Sequence, residues 1–199
     1  TVSHDGVDTD RIAPSPEATV QLPGTKLRFR KGDELLTFVN RNLEPYRGYH
    51  IMMRALPKIL KERPNAQDVM VGESGVSYGL RPQGDRSWKQ IFLDEVKDQL
   101  DVSRVHFVGQ VPYQTFVDLM RVSRVHAYLT YPFVLSWSML EAMSAGALVI
   151  GSRTPPVEEV IEHGKNGLLV DFFDVPGGSE AIIAGLADTE RYDPLRAAA

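Results

Sequence analysis

A three-layer α/β sandwich around a mostly parallel sheet of about six strands is the fold this sequence predicts, and three observations carry the expectation. Short apolar runs recur at 34–39, 68–72, 105–112 (a strand running into a turn), 125–130, 148–151 and 168–171. Each is too short for a helix and predominantly apolar, as strands buried on both faces are. Between them, 49–63, 88–100 and 113–123 read as helices; Met52, Leu56, Ile59 and Leu60 mark the inner face of the first, and Ile91, Phe92, Val96 and Leu100 that of the second. Strand and helix alternate along the chain. That is the pattern of βαβ units whose right-handed crossovers cover both faces of a parallel sheet, a Rossmann-like arrangement.

At 199 residues, with 43% hydrophobic and 24% charged residues, the chain can bury one full core. A net charge of −4 argues against a dedicated nucleic-acid binder. With no cysteine there is no disulfide, thiolate metal site or cysteine nucleophile. The five histidines are scattered without metal-ligand spacing, so no bound metal is expected. No apolar run approaches the length of a membrane span.

Taken in order, residues 1–32 read as a lead-in, turn-rich at 4–14 and kept extended by Pro14, Pro16 and Pro23. The strand at 34–39 runs into a loop, 40–48, that carries Arg41 and Arg47 beside a strand C-terminus and a helix start. Fork-like donors there could hold a diphosphate, or could be ordinary surface charges. Pro57 should kink the helix that follows. After 68–72 comes a polar loop of about fifteen residues with Tyr78, Arg81 and Arg86, long enough to be functional or mobile. Val111 and Pro112 close the turn after the next strand. Pro156 opens a short helix with Glu158 and Glu159 in its first turn, and a helix at 178–187 precedes an alanine-rich tail at 189–199.

The stretch 132–146, PFVLSWSMLEAMSAG, carries the most chemistry. It joins the strand at 125–130 to a short helix whose first turn holds Ser136, Trp137 and Ser138. Glu141 follows among apolar neighbours. In open α/β sheets ligands sit at the carboxyl ends of strands, where unpaired helix N–H groups and the helix dipole favour an anion. A carboxylate one turn further in can accept hydrogen bonds from sugar hydroxyls. No Gly-x-Gly-x-x-Gly string occurs, which disfavours a nicotinamide oxidoreductase.

Residues 141–146, Glu-Ala-Met-Ser-Ala-Gly, resemble the signature of the retaining glycosyltransferases of family 4, enzymes of the two-domain GT-B fold. That family typically has two glutamates separated by seven residues, and Glu141 matches the second. Phe133 stands where the first would be. The loop 40–48 resembles the family's diphosphate-binding segment, with Arg41 at its arginine and Arg47 at its lysine if one extra residue is allowed. Val111 and Pro112 match the turn that faces the nucleotide base. Gly6-Val7-Asp8 resembles the place where the family's chain leaves its N-terminal domain.

The resemblance implies a donor-binding domain over 33–188, preceded by an interdomain linker at 1–32, with the acceptor-binding N-terminal domain of the same chain missing. It further implies a nucleoside-diphosphate sugar as donor substrate and no metal or other cofactor. Arg41 and Arg47 would stabilise the diphosphate; Glu141, Ser136, Trp137, Ser138, Val111 and Pro112 would bind the donor. Transfer would proceed with retention, the isolated domain would not turn over, and the full-length enzyme would be cytoplasmic or peripheral at the membrane. An apolar ring at Phe133 would suit a donor sugar lacking the hydroxyl that a carboxylate would grip. Two rivals stay open: a GT-B-fold epimerase or phosphorylase, and a non-catalytic module that binds a sugar nucleotide or a protein partner.

Overall fold

The computed structural model of the protein describes residues 6–131 and 135–199. A hairpin of two three-residue strands comes first, β1 (Thr19–Gln21) and β2 (Arg28–Arg30). Then follow β3 (Leu35–Asn42), α1 (Tyr49–Glu62), β4 (Gln67–Glu73), α2 (Trp88–Val96), β5 (Val105–Gly109), α3 (Tyr113–Val122) and β6 (Val125–Tyr128). The chain closes with α4 (Trp137–Ser144), β7 (Leu148–Ser152), α5 (Pro155–Glu158), β8 (Leu168–Val170), α6 (Val175–Ala187) and α7 (Thr189–Ala197).

Six strands form one sheet in the order β5-β4-β3-β6-β7-β8, and every pairing is parallel. The order runs outward from β3 in one direction and from β6 in the other, so the two halves of the sheet are wound oppositely and their seam is a topological switch point. Alternate residues of each strand serve opposite layers. Leu36, Phe38, Met70, Val125, Ala127, Leu148 and Ile150 pack with α1, α2 and α6. Leu35, Val69, Val71, Tyr128 and Val149 pack with α3, α4 and the hairpin. This is the layered parallel sandwich that the alternation of apolar runs predicts.

Several local features go beyond the sequence reading. Within the lead-in, Ile12, Ala18, Val20, Leu22 and Phe29 are buried in the second layer, and the hairpin lies on α3. Arg121 ties the segment down by donating to Arg11 O (2.9 Å) and Ala13 O (3.0 Å). Residues 189–197 form a helix instead of an irregular tail, with Tyr192 as its buried residue. Helix α1 continues through Pro57 as one element. α6 begins at Val175, three residues earlier than read, with the Asp174 side chain accepting from Gly177 N at its N-cap.

Candidate functional site

The seam between β3 and β6 opens at the carboxyl ends of the strands, where α/β sheets hold ligands. The turn after β3 is pressed against the end of β6 there. At Gly48, φ is +71°, and an added Cβ would lie 2.3 Å from Leu129 Cβ, so only glycine admits this close approach. The turn thereby brings Arg47 to the seam. Its side chain is only 8% exposed, its Nη1 lies 3.5 Å from Thr130 Oγ1, and its guanidinium sits over the Tyr78 ring at 4.9 Å.

Helix α4 starts at the same place. Ser136 is its N-cap in extended conformation and makes no side-chain capping bond; its hydroxyl instead pairs with that of Ser138 at 2.8 Å. The Ser136 N–H donates to the Tyr128 hydroxyl at 2.9 Å, which fixes the entry of the helix to the end of β6. Burial pushes the Tyr128 phenol up, and the neighbouring Arg47 charge and hydrogen bond pull it back. Arg47, the Tyr128 hydroxyl and the start of α4 therefore converge. A cation beside a helix N-terminus that its own N-cap side chain leaves uncapped is an arrangement suited to an anion.

Glu141 lies on the second turn of α4 and is 7% exposed. Tyr113 donates its hydroxyl to Glu141 Oε1 at 2.7 Å, and among the described residues no donor reaches Oε2. That hydrogen bond is the main reason the Tyr113 phenol is raised, with burial second. Tyr113 opens α3 directly after Val111 and Pro112, so the turn after β5 and the carboxylate of α4 form one continuous wall. Val111 is half-buried against the second core layer, while Pro112 and Trp137 are exposed.

The remaining sequence-derived positions fall as follows. Arg41, next to the end of β3, is exposed, and its side chain makes no hydrogen bond or ion pair among the described residues. Phe133 lies outside the described residues. Sequence reasoning missed Tyr113, Tyr128, Thr130 and Glu44. Glu44 is fully buried, and its carboxylate accepts the backbone N–H groups of Ser77 (3.0 Å), Tyr78 (3.2 Å) and Gly79 (3.1 Å). It pins the long loop after β4 so that Tyr78 covers Arg47. A Glu-Pro pair in a turn ordinarily reads as solvated, and its one sequence hint is the Glu-Pro-Tyr-Arg-Gly run itself. Among the described residues no three metal-ligating side chains are gathered, and no helix is long and apolar enough to cross a membrane.

Comparison with known proteins gives a consistent picture. Residues 25–199 match the family described as glycosyl transferases group 1. A D-inositol 3-phosphate glycosyltransferase of Corynebacterium jeikeium is 26% identical over 178 residues, 89% of this chain and 41% of that protein. The C-terminal domain of a group 1 glycosyl transferase from Francisella tularensis (LpcC) superposes with a TM-score of 0.77 at 19% identity, covering 97% of this chain and 94% of that one. HepE of Anabaena, solved with UDP-glucose, superposes with a TM-score of 0.66 at 22% identity over 84% of this chain and 43% of its own. The chain thus spans less than half the length of the curated relatives it matches.

Proposed function

This chain belongs to the glycosyl transferases group 1 family, and on that premise we propose that the seam between β3 and β6 binds a nucleoside-diphosphate sugar. The convergence of Arg47, the Tyr128 hydroxyl and the α4 N-terminus, with the Glu141 carboxylate one turn beyond, is the observation that carries this reading. The diphosphate would lie on Arg47 and the start of α4, assisted by Arg41. The ribose would meet Glu141 Oε2, with the base against Val111 and Pro112. Ser136, Ser138 and Trp137 would face the diphosphate and the sugar attached to it.

In the whole enzyme, completed by an N-terminal domain of the same chain that holds the acceptor, the bond between the anomeric carbon and the diphosphate oxygen breaks. An acceptor hydroxyl oxygen takes its place with retention, and its proton passes to the diphosphate. The donor domain contributes electrostatically, since fixed donors at the leaving group stabilise the negative charge as it grows. The countercharge comes from arginine and helix N–H groups without a metal. A neutral ring at Phe133 suits a donor sugar lacking one hydroxyl on that face. We place the full-length enzyme in the cytoplasm or at the membrane periphery.

A thermal-shift panel of UDP, GDP, ADP, dTDP and NAD tests the reading, because a ligand that binds the folded state raises its melting point by mass action. One nucleoside diphosphate should stabilise the protein with or without EDTA, and NAD should not. In calorimetry, Glu141→Gln should weaken that nucleotide by about 1.5–3 kcal/mol, the worth of a charge-assisted hydrogen bond. Unchanged affinity in a folded variant removes Glu141 from the site. The second reading, a non-catalytic sugar-nucleotide module, is favoured by Phe133 in place of an acid. It would be upheld if the full-length protein bound the nucleotide sugar and transferred nothing.

A further inference from the structure

A second cleft lies beside the crevice. It measures about 370 Å³ and is lined by Pro45, Tyr46, His50, Tyr131, Phe172 and Phe173, within the ~300–1,000 Å³ typical of ligand sites. Two of its residues, Tyr46 and Tyr131, are joined by a hydrogen bond from Tyr131 N to Tyr46 O at 3.0 Å. Their chain neighbours, Arg47 and Thr130, are the residues that meet at the seam.

The chemistry of the cleft differs from that of the crevice. Its rings contact one another edge to face: Tyr46 with Tyr131 at 6.1 Å and 85°, Tyr131 with Phe173 at 5.8 Å and 67°, and Phe172 with Phe173 at 5.0 Å and 89°. Such contacts fix the rings while leaving flat faces turned outward. Tyr46, Tyr131 and Phe173 remain 45%, 43% and 66% exposed. Among the described residues no charged group belongs to the lining. The His50 ring is held between Phe92 and Phe172, and burial, with Arg54 next, lowers its pKa to about 4, so it is neutral. Among the described residues His50 Nδ1, shut from water, has no partner. Among the described residues the Tyr46 and Tyr131 hydroxyls have no hydrogen-bond partner.

A lining of open aromatic faces with a few neutral polar tips matches one class of ligand well. A phosphate would find no cation there, and a lipid chain would leave the polar tips unused. A sugar ring offers both an apolar C–H face and hydroxyls around its rim. We propose that this cleft is a saccharide subsite that takes a neutral pyranose ring of the acceptor projecting beyond the N-terminal domain's site, beside the donor crevice. The word acceptor rests on the nucleotide-sugar reading of the crevice; the sugar binding does not.

Titration of the isotopically labelled 199-residue protein with methyl α-glucoside, methyl α-mannoside and methyl α-galactoside tests the proposal, with amide shifts and saturation transfer to the sugar C–H protons as readouts. At least one should bind with a millimolar dissociation constant and shift amides at 45–50, 131 and 171–174. Phe173→Ala should weaken it about tenfold and Phe173→Trp should retain it, with the thermal shift from the nucleotide unchanged in both. No binding by any of the three, or shifts confined to the start of α4, overturns the subsite. So does Phe173-dependent flotation with phosphatidylglycerol vesicles in a protein that ignores all three sugars. If no nucleotide stabilises the protein while a sugar still binds at the cleft, the crevice reading fails and the saccharide subsite stands.

Discussion

The same five residues, Val-Ser-Arg-Val-His, lead into β5 at 102–106 and into β6 at 122–126, and the two copies live differently. Val102 is 45% exposed where Val122 is 1%. Ser103 bonds to the exposed Asp101 carboxylate at 2.6 Å; Ser123 is buried and pairs with Thr37 at 2.8 Å. His106 is half-buried against Gln67 Oε1, whereas His126 is wholly enclosed, with Nδ1 on Thr37 and Nε2 unpartnered. Only the arginines keep one occupation. Arg104 donates to Leu60 O near the end of α1, and Arg124 to Leu186 O near the end of α6, each countering the negative end of a helix dipole. The difference follows from sheet order, since β5 is an edge strand and β6 an interior one. A segment's conformation is thus local, but its energetics belong to its neighbours.

The arginines offer the largest test of that contrast. Arg104 holds the carbonyls of Leu60, Arg63, Pro64 and Ala66, while Arg124 holds those of Leu186 and Gly32 and keeps Nε unpartnered. Arg104→Ala should therefore destabilise by about 3 kcal/mol and Arg124→Ala by about 2 kcal/mol, with the edge copy mattering more despite its edge position. Urea denaturation checks the order; a reversed order would mean that depth in the sheet outweighs the number of bonds.

The histidines come next. Burial lowers His126 to about 4, below the ordinary unfolded value near 6.5. The unfolded chain therefore takes up the proton first, and stability present above that range is lost as pH falls from about 6.5 towards 4. Unfolding free energies across that window should show His126→Asn flattening the wild-type decline by roughly 2 kcal/mol. His50 adds a parallel loss for the same reason. His106, also lowered by burial but only half enclosed, should give a smaller change on the same substitution.

The serines should differ least in absolute terms. Ser123→Ala removes a buried hydroxyl that also donates to Val125 O at 3.0 Å, and should cost about 1 kcal/mol. Ser103→Ala should stay within about 0.5 kcal/mol, as surface changes do. Equal effects in thermal unfolding would erase the distinction between the two copies.

What the sequence made legible follows the same division. The six strands could be read because their residues are apolar on both faces, and no other element of that length looks so. The hairpin could not, since β1 and β2 each turn a single buried residue inward, Val20 and Phe29, between exposed neighbours. Helix α7 hid behind Pro194 and one inward side chain. In the site, Glu141 was legible as an acid among apolar residues. Tyr113 was not, because a tyrosine at a helix start acquires meaning only when α3 and α4 lie side by side. Arg41 and Arg47 looked alike in sequence, and only the fold separates a buried guanidinium under Tyr78 from an exposed one.

The seam has a further consequence, for the order of events as the chain is made. Of the six sheet strands β3 emerges first, and β4 and β5 add to one side of it, so that half can close before the rest exists. β6 must then find the other edge of β3, where Leu36 and Thr37 meet Val125 and His126 across a separation of 89 residues for the latter pair. That is the longest-range pairing in the sheet and the slowest kind to form, because the loop must be closed before any contact rewards it. The crevice has no floor until this pairing is made. The crevice is therefore assembled only once β6 has paired, and no earlier folding unit contains it.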